Sequence, residues 1–423
     1  MNPQDMDEHP TAPPGTPPHS RGPSAFAALR HPNYRLWFWG QMISLFGTWM
    51  QQTAQGFLVF ELTHSAAYLG YVGFASGASI WLLMLYGGVI ADRFPRRTIL
   101  IVTQSMMMFL AFVLAGLTFL HLVQPWHIIL LSFLLGVANA FDAPARQAFI
   151  LEMVDREDLT NAIALNSTLF NTATALGPAA SGLAYAFFGP GWCFTINGLT
   201  FSAVIIALLM MRLKPVARVP RKLSAYKSVA EGIRYVRSHS SILWIIVLVG
   251  IIATFAVSYA TLFPVWAVRV MGGNATTNGL LQSGRGLGAL IGALFIATLG
   301  RFRFKGRLLS LATVAFPLVL VLFSFLRGLG ISLFVLVLSG MAQILVLNLA
   351  NALVQTQTAD EVRGRVMSLY SLTFLGFLPI GALISGSLAA GLGAPSALRI
   401  GAGICLAGAL GVWIVAPKIR RLS

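Results

Sequence analysis

The sequence predicts an all-α membrane protein with twelve spanning helices in two six-helix halves. Three observations predict it. First, 57% of the 423 residues are hydrophobic and only 10% are charged, with a mean hydropathy of +0.77. A soluble chain carries roughly 25% charged residues. Second, twelve apolar runs of membrane length follow one another, and each spanning helix needs about 20 such residues. Their continuity suits helices, because the strands of a membrane barrel alternate over segments of about ten residues. Third, 25 of the 29 bases fall in alternate loops and the flanks continuous with them. This positive-inside bias puts both termini in the cytoplasm. It also explains the net charge of +16 without nucleic acid, since the bases form no single patch.

In chain order, residues 1–25 are Pro-rich and polar and carry Asp5, Asp7 and Glu8. They lack the basic start and apolar middle of a signal peptide and read as a disordered cytoplasmic tail. Residues 26–35 mix Phe, Leu and Tyr with Arg30, His31 and Arg35, as an interfacial segment or a plain juxtamembrane flank. The first bundle is expected over 26–211, with spans near 36–61, 68–91, 98–120, 126–145, 161–187 and 191–211. A basic linker follows over 212–240, with a surface helix from Ser224 to Arg237. The second bundle is expected over 241–417, with spans near 241–268, 278–299, 307–326, 330–357, 364–391 and 395–417. Residues 418–423 form a short cytoplasmic tail.

Several spans carry internal signals. Span 1 has a polar stripe of Gln41, Ser44, Thr48, Gln51, Gln52 and Gln55 at helical steps. Amides facing lipid are costly, so the stripe faces either a wet cavity or a neighbouring helix. Small residues mark close helix approach on one side of span 2 (Gly70, Gly73, Gly77) and at strict four-residue steps in span 8 (Gly284, Gly288, Gly292). Span 5 contains Gly177-Pro178-Ala-Ala-Ser181-Gly182. Leu165, Ser167, Gly177, Ser181 and Gly182 recur 204 residues later as Leu369, Ser371, Gly381, Ser385 and Gly386. That recurrence favours an internal duplication.

Between spans 2 and 3 stands Gly88-Val-Ile-Ala-Asp92-Arg93-Phe-Pro-Arg96-Arg97. Near 300 the corresponding loop keeps its bases and has no acid. The first loop resembles the signature loop of the major facilitator superfamily, with Pro95 where the family usually has Gly. The opening block from Phe26 to Gln51, together with Asp142-Ala-Pro-Ala-Arg146-Gln, resembles the branch that contains the enterobactin exporter and macrolide efflux pumps. Span 5 resembles the superfamily's antiporter motif, with Ser181 replacing one Gly. The resemblance covers roughly residues 26 to 417. It implies two bundles related by a pseudo-two-fold axis along the membrane normal, with a substrate site near the midplane.

The implied function is export of a small amphipathic molecule (a siderophore, drug or metabolite) across the bacterial inner membrane by alternating access, with proton antiport. An importer or uniporter of the same fold, and a sensor or channel, stand as alternatives. Candidate substrate contacts are Gln51, Gln55, Asn139, Asn171, Thr254, Ser258, Tyr259, Arg285, Asn348 and Asn351. Arg285 either snorkels to the outer surface or faces the cavity, where it favours anionic or oxygen-rich cargo. Gly88, Asp92, Arg93, Arg96 and Arg97 are the implied latch, closing the inner face against the start of span 11 near Gly364. The rival role for Asp92 is capping span 3. None of the 13 acids lies at mid-membrane. The candidates for proton coupling are therefore Asp142, which could instead pair with Arg146, and Glu61, which could be merely interfacial. Ser132 stands where many drug antiporters have Arg. The seven His lie in the tail, in loops or at span edges, so no catalytic constellation is visible and an enzyme is not expected. Cys193 and Cys405 fall in apolar runs and support neither a disulfide nor a metal site. The expected partners are a small-molecule substrate, protons and the bilayer. The chain is expected to be a monomer without cofactor, metal or nucleic acid.

Overall fold

A computed structural model describes residues 26–213, 225–299 and 304–422. The expected tail at 1–25, the linker's 214–224 and the basic loop at 300–303 lie outside these residues. Among the described residues the chain is helical, with no strand. The first half runs α1 (Pro32–Thr63), α2 (Ala66–Arg93), α3 (Arg96–Phe119), α4 (Pro125–Phe149), α5 (Leu159–Phe188) and α6 (Pro190–Met210). A helix of the linker, α7 (Ala225–Ser238), precedes the second half. That half begins with α8 (Ser240–Phe255) and a short turn α9 (Phe263–Val265). It continues with α10 (Ala275–Leu299), α11 (Lys305–Phe325), α12 (Leu329–Gln357), α13 (Arg363–Leu392) and α14 (Ala394–Val415).

Among the described residues, ten helical stretches are long and apolar enough to cross a membrane. α1 and α5, at 32 and 30 residues, are long enough but less apolar, because of the polar residues predicted for spans 1 and 5. Prolines punctuate these helices where the chain can use them. Pro32, Pro125 and Pro190 stand in first turns, where a missing N–H costs nothing. Pro144, Pro178, Pro317 and Pro379 lie inside helices, where each removes a backbone bond.

The run 241–268, expected as one helix, is not one. α8 gives way to a 3-10 segment at Val257–Leu262, then α9, then a π segment at Trp266–Val270. Pro264 lies in that stretch and cannot supply a helical N–H. Aromatic packing holds the irregular end: Trp266 stacks on Phe323 at 4.7 Å, and Phe263 meets the same ring edge-on at 6.5 Å.

Glycines set the close approaches. Gly284, Gly288 and Gly292 bring α10 onto α12, at Leu333, Val337 and Met341. Gly136 brings α4 onto α2 at Ser76 and Ser79. In the loop motif it is Gly87 that meets α4, at Ala140; Gly88 has open space beside it. Close approach in the loop motif therefore falls to Gly87, one residue and about 100° round the helix from Gly88.

The duplication reaches beyond the recurring motif. In the first half, the 3-10 turn Ala27–Arg30 is pinned to the start of α5. Ala28 N–H donates to Asn161 Oδ1 (2.9 Å), His31 Nε2 meets Asp158 Oδ2 (2.8 Å), and Tyr34 donates to the Ala162 carbonyl (2.8 Å). In the second half, α7 is pinned to the start of α13. Arg365 pairs with Glu231 at 2.6 Å, and Ala359 N–H donates to Tyr235 Oη at 3.2 Å. A Cβ on Gly232 would stand 3.1 Å from the Arg365 carbonyl oxygen. Ala28 and Gly232, His31 and Tyr235, and Asn161 and Arg365 are each separated by the same 204 residues. The helical part of the expected linker thus packs on the second half, as the flank of α1 packs on the first.

Candidate functional site

Two pairs of helices join the halves: α5 with α10, and α2 with α13. In both, backbone meets backbone at the end of the molecule remote from the basic loops. Gly182 of α5 lies against Ala275 and Thr276, where an added Cβ would meet the Ala275 carbonyl oxygen at 2.8 Å. Gly386 of α13 lies against α2, where a Cβ would meet Gly70 Cα at 2.8 Å. The same end is tied across by Thr276, which donates to the Gly182 carbonyl (3.2 Å), and by Arg269, which donates to the His64 carbonyl and lies over the Phe60 ring. Thr53 of α1 donates to Gln282 of α10 at 3.4 Å.

Toward the basic loops the two halves separate. Ser167 and Thr168 of α5, Asn348 and Gln355 of α12, and Asp92 at the end of α2 are exposed. Gly88 and Gly364 face open space. The result is a cleft closed at one end and open at the end bearing the basic loops.

The duplicated motif builds the closed end. Gly177 packs on α1 at Trp49, and Ser181 donates to the Met50 carbonyl (2.8 Å). Their counterparts act alike on α8 and the 3-10 segment after it: Gly381 packs on Thr254, and Ser385 meets Ser258 Oγ at 3.0 Å. Pro178 presents its carbonyl to Gly279 of α10, and the Pro379 ring fills the space beside Gly77 of α2.

The polar residues predicted to line a cavity divide into two groups. Gln51 accepts from Asn197 of α6 (2.7 Å), and Gln55 donates to Ser132 of α4 (2.5 Å). Both are buried in helix–helix bonds within the first half. Thr254 and Ser258 are likewise buried, with hydroxyls on backbone carbonyls one turn earlier. The glutamine left open is Gln52: its neighbours on α1 are engaged by α4, α5, α6 and α10, and its own side chain is exposed. Helical phase alone could have singled it out only if each neighbour's partner were known. Asn139 and Asn171 bond carbonyls of their own helices and are half-buried. Asn351 accepts from Gln355 (2.6 Å), and Asn348 is exposed. Tyr259 meets Ser339 at 3.0 Å, beside Arg285, whose Nη1 donates to Gln343 Oε1 (3.3 Å).

The two carboxylates differ sharply. Asp142 is fully buried and saturated. It accepts from Thr103 (2.9 Å), Gln104 (2.9 Å) and Arg146 Nε (2.9 Å). Its side chain is thus a buried, hydrogen-bonded ion pair between α3 and α4. Glu61, at the closed end of α1, is exposed and accepts from Tyr185 of α5. Among the described residues no cluster of His, Cys, Asp and Glu could hold a metal.

In the loop motif, Arg96 donates to the Ala148 carbonyl (3.0 Å) and to Glu152 (2.9 Å), and Arg97 donates to the Leu209 carbonyl (2.9 Å). All three partners belong to the first half. Pro95 precedes α3 without any side-chain cap, so the capping role considered for Asp92 has no counterpart. Asp92 and Arg93 are exposed in this conformation, and among the described residues no hydrogen bond or ion pair joins either to α13.

Residues 23–421 match the family described as a transmembrane secretion effector. An enterobactin exporter from Shigella boydii is 27% identical over 400 residues, covering 92% of this chain and 93% of its own. A staphyloferrin A transporter from Staphylococcus aureus is 24% identical over 351 residues, covering 83% and 88%. Among solved structures, the nucleoside transporter NupG superposes with a TM-score of 0.70 at 15% identity, covering 91% of this chain and 98% of its own. A bacterial homologue of the lysosomal transporter Spinster, inward-facing and unoccupied, superposes with a TM-score of 0.68 at 15% identity, covering 92% and 96%.

Proposed function

Because the chain belongs to the transmembrane secretion effector family of the major facilitator superfamily, we propose that it exports a siderophore or a molecule of similar size across the bacterial inner membrane. Its family and relatives are transporters rather than enzymes. The observation that carries the reading is the cleft, sealed at one end by glycine-to-backbone contacts and open at the other. A through-channel has no use for such one-sided closure, whereas a carrier needs it in every half-cycle. The basic loops assign the open end to the cytoplasm, so the conformation is inward-open, with twelve spans and both termini cytoplasmic.

Cargo enters between Gln52 on one side and Asn348 and Asn351 on the other, below the closed seams. The halves then rock about the seams until the inner face shuts. Asp92 and Arg93 meet the N-terminal turn of α13 only in that outward-open state, where free N–H groups at Arg363 and Gly364 receive the carboxylate. Their exposure here is what a disengaged latch requires. Proton antiport completes the cycle. Glu61 is the better placed of the two carboxylates, being open to the far side, whereas Asp142 is committed to Arg146.

The test compares a strain with and without the protein for siderophore released to the medium, with and without a protonophore. Release that depends on both the protein and the proton gradient is expected. Release unaffected by deleting the protein would reject the cargo, and release insensitive to the protonophore would reject the coupling.

A further inference from the structure

We infer that Arg285 selects cargo by charge, binding an anionic oxygen (a carboxylate or phenolate) at the roof of the cleft. The inference rests on the export reading above and names the cargo's chemical class. Arg285 lies ten residues along α10 from Ala275, about 15 Å of helix, too deep for its side chain to reach the closed surface. Its place is set on three sides. One turn before it, Gln282 meets Thr53 of the first half; directly after it, Gly286 lies against Thr174 and Ala175 of α5. Its own carbonyl lies against Gly340 of α12. The half-buried side chain therefore stands where the closed seam ends and the cleft begins.

The guanidinium is under-satisfied. Gln343 accepts from Nη1 at 3.3 Å, while Nε is buried with no partner. Arg carries five donors in a planar fork suited to carboxylate. The two acids nearest mid-membrane are committed elsewhere: Asp142 to Arg146, and Glu61 to Tyr185 at the closed end. A cation within a span, with no counter-ion among the described residues, is costly and marks a site. An anionic oxygen entering from the open end would supply the missing charge. Gln343 then acts as a positioning residue holding one edge of the fork, backed by the buried Tyr259–Ser339 hydroxyl pair beside Arg285.

The test uses the full-length protein in lipid nanodiscs and two acid–ester pairs as probes: N-benzoylserine with its methyl ester, and citrate with its trimethyl ester. Wild type is expected to bind at least one acid about tenfold or more tightly than its ester. Arg285→Gln should erase that preference, Arg285→Lys should keep part of it, and Gln343→Leu should weaken the acid and leave the ester unchanged. Thermal unfolding of each variant separates lost recognition from lost folding. An unchanged preference in folded Arg285→Gln, or no acid bound more tightly than its ester by wild type, overturns the inference. Acid preference through Arg285 without siderophore release by cells would instead reject the export reading and leave the selector standing.

Discussion

The two seams that join the halves are built on the same duplicated motif, yet they are not equivalent. Where α5 meets α10, backbone lies on backbone throughout. A Cβ on Gly286 would stand 2.8 Å from both Ala175 Cα and the Thr174 carbonyl carbon, and neither can move without moving a helix. Where α2 meets α13, backbone contact at Gly70 and Gly386 gives way deeper down to side chains. The Pro379 ring lies beside Gly77, and the Trp81 indole covers Gly376. Trp81 is 45% exposed and has room to turn. The acid is also unequally shared, since Asp92 ends α2 while the loop after α10 holds only bases. The comparison makes the α5–α10 seam the fixed pivot of the cycle and the α2–α13 seam the yielding one that needs a latch.

Gly286→Ala should have the largest effect. Overpacking costs about 1–3 kcal/mol, which at 1.36 kcal/mol per tenfold is roughly a 5- to 150-fold loss of the closed seam. Transport in proteoliposomes should fall accordingly, and cysteines placed near Gln282 should become reactive from the closed side. Next, Asp92→Asn should slow transport several-fold while leaving the thermal stability of the ligand-free protein unchanged, because the exposed carboxylate has no hydrogen bond or ion pair among the described residues. A loss of stability would show that Asp92 already supports this conformation.

Ser181→Ala should cost about 0.6 kcal/mol of stability, the average for an interhelical bond in a membrane. Ser385→Ala should cost less, since Ser258 retains its bond to the Thr254 carbonyl. Equal unfolding midpoints for the two variants would remove that asymmetry. Gly376→Ala should have the smallest effect, within about twofold in transport, because the indole can swing aside at the cost of a rotamer change. A defect as large as that of Gly286→Ala would erase the distinction between pivot and yielding seam.

Much of the architecture was legible in the sequence because the bilayer leaves few alternatives. Run length marks the helices long enough to cross, and the Gly177/Gly381 recurrence marks the duplication. The site was less legible. The polar stripe of α1 marks a face without saying which neighbour meets it, so Gln51 and Gln55 look like cavity residues and are used in packing, while Gln52 is exposed. The break in α8 hides in an apolar run whose composition suits a helix. The pinning of α5 and α13 was invisible for another reason: His31 and Tyr235 occupy equivalent positions with different chemistry. Position is duplicated there, and residue type is not.

That pinning has a mechanical consequence. α5 and α13 are each 30 residues long, about 45 Å from end to end. Each is held at its foot to its own half, through Asp158 and Asn161 or through Arg365, and touches the opposite half near its other end. Each therefore serves as a rigid lever arm. A turn of only ten degrees about the closed end would sweep the feet through an arc of about 8 Å, wide enough to admit or expel a small molecule. Cutting His31 or Glu231 loose would leave the fulcrum intact and waste the stroke as bending at the foot.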